Sequence, residues 1–144
     1  MSHTLYNGES QFGGQIQALV AEATGNQKTG PALTLWVLPA TVDGEKPWDV
    51  IKRDGSVSTC GDCPQQFGGC YTHAGASQTL TCGAASLVKA RNQSLVKPTR
   101  KVKRARSAAF GDAAALPLSV LESWREVRAQ FGLAPLGYTH AWRN

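Results

Sequence analysis

The sequence predicts an α/β domain: a small, mostly parallel sheet of about three strands with flanking helices and a long cysteine-bearing loop, or a partial barrel of the same parts. Three observations predict it. ALTLWVLP at 32–39 is an apolar run closed by proline at each end, the pattern of a buried strand. The stretch from Pro117 carries the clearest helical stripe in the chain. Between and around them, helix-like and strand-like segments alternate. At 144 residues the chain is long enough for one domain with its own core. The expected division is a flexible lead-in over 1–15 and a single domain over 16–144.

Taken in order, Ile16, Leu19, Val20 and Ala23 recur at helical steps and Gly25 suits a stop, so a helix is expected there. The strand over 32–39 follows. Residues 40–76 show no long periodicity and read as a loop, and a loop of that length in a compact domain is commonly functional. Ser77 suits the cap of a second helix carrying Leu80, Ala84, Leu87, Val88, Arg91 and Leu95 and ending near Pro98. A short strand is expected over 107–110, running into Gly111-Asp112. Pro117 opens the last helix, with Ser119 and Glu122 at capping-box spacing and Val120, Leu121, Trp124, Val127 and Phe131 on one stripe. GYTHAW at 137–142 reads as the final strand. In parallel sheets ligands bind outside the carboxyl ends of the strands, and the cysteine loop, Gly111-Asp112 and His140 fall at or near such ends.

Composition excludes some classes. With 42% hydrophobic and 17% charged residues the chain has an ordinary globular make-up. No apolar run approaches the roughly 18 residues of a membrane helix, and the polar start MSHTLYNGESQFGG lacks the parts of a signal peptide. The expected location is therefore the cytoplasm, where disulfides rarely persist. The net charge of +5 is concentrated. Lys89, Arg91, Lys97, Arg100, Lys101, Lys103, Arg104 and Arg106 are eight of the fifteen basic residues, and no acid lies among them. Such a window creates a local field for phosphate, which makes Lys97, Arg100, Lys101, Lys103, Arg104 and Arg106 candidate nucleic-acid contacts. The bland alternative is a solvated charged face. No aromatic residue is interleaved, so a base-stacking platform is not expected.

The cysteines are spaced Cys60-x2-Cys63-x6-Cys70-x11-Cys82. A C-x-x-C pair brings two thiolates to one metal from a tight turn, and Gly68-Gly69 would let the chain return Cys70 as a third sulfur. Zinc and iron–sulfur clusters both use such thiolates. Cys82 sits on a predicted helix and is as well explained by core packing as by ligation. A redox pair, a disulfide or inert thiols are the competing readings. His73, Asp112 and His140 are candidates for a ligand pocket. His73 is a lone histidine, more often an ordinary surface or hydrogen-bonded residue than a ligand, and His140 is as readily a hydrogen-bonded residue on the sheet. Asp112 is as readily a helix cap satisfying free backbone N–H groups.

Several segments together resemble a family of proteins from phages and mobile elements. They are NQKTGP at 26–31, WVLP at 36–39, CGDCP at 60–64, GGCYT at 68–72, FGDAAALP at 110–117 and GYTHAWR at 137–143. Members of that family look longer and continue with a second half containing more cysteines, so the resemblance is to their N-terminal part. Ala113 stands where the family tends to have proline. The layout is also similar to radical-SAM-like iron–sulfur proteins, and that likeness implies Cys60, Cys63 and Cys70 as cluster ligands, Asp112 facing the ligand, and S-adenosylmethionine as a cofactor. The C-x2-C-x6-C spacing departs from the C-x3-C-x2-C usual there. The expected function is a metal-binding protein, zinc or iron–sulfur, that contacts nucleic acid. The alternatives are a fragment or relative of a radical-SAM-like iron–sulfur enzyme, and a small phage protein that binds and inhibits or remodels a host protein complex.

Overall fold

In a computed structural model, which describes residues 2–23, 30–42, 45–55, 57–62, 91–92 and 97–137, the chain builds a six-stranded sheet of order β4-β1-β2-β3-β5-β6. The strands are β1 (Ser2–Glu9), β2 (Gln15–Ala23), β3 (Ala32–Pro39), β4 (Arg91–Asn92), β5 (Arg104–Ser107) and β6 (Ala134–Gly137). The long pairs β1/β2 and β2/β3 are antiparallel, whereas β1/β4, β3/β5 and β5/β6 are parallel. This corrects the expected fold class. The sheet is mixed, it has six strands rather than about three, and its centre is an antiparallel meander. Among the described residues β4 and β6 end the strand order, so no barrel is formed.

The largest correction lies at the N-terminus, where the expected lead-in and first helix are β1 and β2. The apolar positions of QIQALVAEA fit a helix, but they fit equally a strand buried on both faces, and helical and strand periods are hard to separate in so short a run. Ile16, Ala18 and Val20 pack with Leu33, Leu35 and Val37 on one face, while Leu19 packs with Trp36 and Leu38 on the other. All eight residues of β3 are buried, as a central strand covered on both sides requires.

Helices cover the two faces unequally. α3 (Leu118–Gln130) lays Val120 and Trp124 on the Ile16 face, with Leu121, Val127 and Phe131 packed against the same cluster. Trp124 Nε1 donates to Ser107 Oγ at 2.9 Å, tying α3 to β5. On the other face lie Ile51 and Trp48 of α1 (Pro47–Asp54), with Ala109 and Phe110. α1 and the short α2 (Val57–Cys60) occupy the stretch read as loop. α1 offers few apolar positions, so no long periodicity announces it. Two residues of the expected 77–98 helix, Arg91 and Asn92, instead pair with β1. β5 begins three residues before the expected strand and takes in Arg104 and Arg106.

β1, β3, β4, β5 and β6 point one way and β2 runs against them. The sheet thus has a carboxyl edge, where β1, β3, β5 and β6 end, and an amino edge, where they begin.

Candidate functional site

The start of the cysteine segment is fixed to the carboxyl edge. Cys60 closes α2 and is half-buried, and its Sγ lies 3.5 Å from Oγ1 of the fully buried Thr59. Past the end of β5 at Ser107 the chain stays on β3: Ala109 N donates to Leu35 O at 2.9 Å, and Val37 N to Phe110 O at 3.1 Å. Gly111 then passes between β3 and α2, and Asp112 N donates to Thr59 O at 2.7 Å. A Cβ on Gly111 would meet the Val37 carbonyl oxygen at 2.5 Å, and the residue takes φ +76°, so both space and backbone require glycine. Immediately after Cys60, Gly61 turns the chain at φ +61°, and its N–H donates to Val57 O at 2.8 Å. That bond and the positive φ make Gly61 the C-terminal cap of α2, with Cys60 at the helix's last position.

Asp112 takes the capping role. Its buried carboxylate accepts from Ala114 N at 2.9 Å at the start of a 3-10 turn, Ala113–Ala115. The structure therefore brings Cys60 and Asp112 to one edge, joined by backbone hydrogen bonding. Cys63, Cys70, Cys82, His73 and His140 lie outside the described residues. Among the described residues no three His, Cys, Asp or Glu side chains are grouped to hold a metal, and only Cys60 of the proposed ligand set is among them.

The basic residues stand at the opposite, amino edge. Arg104 pairs with Ala32, the first residue of β3, and the segment before it makes a turn closed by Val102 N donating to Thr99 O at 3.0 Å. Arg100 and Lys101 are the two corner residues of that turn. Three anchors hold it. Val102 is buried in the main cluster. Glu22, at the end of β2, accepts from Thr99 N at 2.9 Å and from Thr99 Oγ1 at 2.8 Å. Lys103 O accepts from Ala134 N at 2.9 Å. Lys97, Arg100, Lys101, Lys103 and Arg104 are all exposed, and none of them forms an ion pair among the described residues. Arg106 is half-buried on the same sheet face as Arg104, two residues along β5 and opposite Thr34. Along the length of β3, at about 3.3 Å per residue, the basic turn and Cys60 are separated by roughly 23 Å.

One feature had no signal in the sequence. At the carboxyl edge an open groove of about 400 Å³ lies between the β1–β2 turn and the α1–α2 connection, lined by Phe12, Gly14, Pro39, Val50, Arg53 and Val57 among others. Arg53 on its rim is held by Asp54 at 2.9 Å and Glu45 at 2.7 Å. Both acids are held below their ordinary values, chiefly by hydrogen bonds from Arg53, and the guanidinium is correspondingly raised. With its charge already matched, Arg53 offers little to an anion.

Comparison with protein-family models, with curated proteins and with solved structures finds no match. Among the described residues no helix is long and apolar enough to cross a membrane.

Proposed function

We propose that the chain is a metal-binding protein of the phage and mobile-element kind its motifs resemble, working in the cytoplasm of the host and contacting nucleic acid through its amino edge. The observation that carries the nucleic-acid reading is the set of five exposed cations, Lys97, Arg100, Lys101, Lys103 and Arg104, without ion-pair partners among the described residues, on a turn held in place by Glu22 and Val102. Cations presented on a fixed backbone meet phosphate with less ordering cost than cations on a loose tail. The metal reading rests on the spacing of Cys60, Cys63, Cys70 and Cys82, and it is supported by the fixed position of Cys60. Zinc and an iron–sulfur cluster both suit such thiolates. The radical-SAM-like alternative gains nothing from this sheet, whose antiparallel centre departs from a parallel barrel.

The test uses oxygen-free protein. Metal analysis with an absorption spectrum should return one metal centre per chain, colourless for zinc and brown for iron–sulfur. Fluorescence anisotropy with labelled nucleic acid should show binding that weakens steeply with salt and is lost when Arg100, Lys101, Lys103 and Arg104 are replaced by Ala. Unchanged affinity in that variant overturns the nucleic-acid reading, and metal-free wild-type protein overturns the metal reading.

A further inference from the structure

We infer that the nucleic acid held at the amino edge is a duplex, gripped by its phosphates without regard to base sequence; this rests on the nucleic-acid reading above. Three observations lead there. The first is charge density. Five exposed cations without ion-pair partners among the described residues fall within the eight residues from Lys97 to Arg104, and a duplex, with one negative charge per about 1.7 Å of axis, is the nucleic acid that matches so dense a cluster. The second is that no stacking surface is presented among the described residues. Single-strand binders add aromatic platforms to their cations. Here Trp36, Phe110 and Trp124 are buried, and Tyr6, Phe12, Trp48 and Phe131 are half-buried against the cores, so no aromatic side chain among the described residues is exposed.

The third observation concerns base reading. Sequence is read in the major groove by a helix or a two-stranded ribbon that enters it. The basic turn has only Arg100 and Lys101 at its tip, between residues bound into the fold at Thr99 and Val102. Thr99, the uncharged polar side chain of the turn, has its hydroxyl committed to Glu22. The turn carries Arg100 and Lys101 on neither a helix nor a two-stranded ribbon, the elements that place such side chains against base edges, so their charge meets the backbone.

The experiment is a salt titration by fluorescence anisotropy on the full chain, with two unrelated 20-base-pair duplexes, one A·T-rich and one G·C-rich, and with their separated strands. The two duplexes should bind within about twofold of each other, and each at least about fivefold more tightly than its single strands. If all five cations meet phosphates, log affinity should fall with log salt at a slope of about −4.5, roughly a 500-fold loss between 50 and 200 mM. The variant Arg100→Ala/Lys101→Ala changes two exposed turn residues that bury nothing, and should flatten the slope by about 1.8. Single strands binding as tightly as duplex, a preference above tenfold for one duplex, or an unchanged slope in the variant overturns the inference while the broader reading stands. No binding to any of these probes at 50 mM salt removes both.

Discussion

A methyl group added at Gly111 would sit 2.5 Å from the Val37 carbonyl oxygen and 2.9 Å from Val37 Cβ, at a φ of +76° that side-chain-bearing residues resist. Gly111→Ala should therefore cost about 3 kcal/mol, read as a lower urea midpoint, because strand, α2 and the following turn are all pinned at that point. Its neighbour gives a sharper test of role. Asp112 caps a 3-10 turn, and Asn caps as well as Asp, so Asp112→Asn should change stability by less than about 1 kcal/mol and leave metal content intact. Loss of metal in that variant would make Asp112 a ligand instead. His3, buried in β1, has its imidazole pushed below the ordinary value by desolvation. Above about pH 6.5 it is neutral in both the folded and unfolded states and contributes no pH dependence. As pH falls below that value the unfolded chain takes the proton first, so stability declines toward the folded-state pKa. Chemical denaturation between pH 7 and 5 should show this decline in the wild type and a shallower one in His3→Gln. Equal slopes would mean His3 is not protected from protonation.

The turn at 99–102 is the element on which the nucleic-acid proposal depends, and its anchor comes from far along the chain. Glu22 is 77 residues from Thr99, so nothing local in either segment announces the contact. Glu22→Gln keeps an acceptor oxygen for Thr99 while removing a negative charge beside the cations. Affinity for duplex should then rise about two- to fivefold at 50 mM salt; an unchanged affinity would place Glu22 outside the binding surface. The same distinction between local and distant causes explains what the sequence reveals about the fold. β3 and α3 are legible because their signals are local: an apolar run between prolines, and a stripe from Val120 to Phe131. β2 is not, because Ile16, Leu19 and Val20 satisfy both periods and only its neighbours decide between them. β1, SHTLYNGE, carries little apolar patterning and is a strand because β2 pairs with it. α1 buries only Pro47, Val50 and Ile51, too little for a periodic signal.

At the scale of the whole molecule, Cys60 and the basic turn stand, among the described residues, at opposite edges of one sheet. The clusters themselves, Cys60 to Cys82 and Lys97 to Arg106, are legible as residue types and spacing. The separation of Cys60 from the basic turn is not, since it depends on β5 running parallel to β3 so that Arg104 meets Ala32 while Asp112 meets Thr59. If the proposed centre sits where Cys60 does, it and the basic edge should vary independently, because distant sites that share no partner do so. The direct measurement is metal content and duplex affinity on the same oxygen-free preparations of two variants. Cys60→Ser should lose metal and keep duplex affinity within about twofold, whereas Arg100→Ala/Lys101→Ala/Lys103→Ala/Arg104→Ala should keep its metal and lose duplex affinity by at least about tenfold. A basic-edge variant that binds duplex as the wild type does would contradict the central claim.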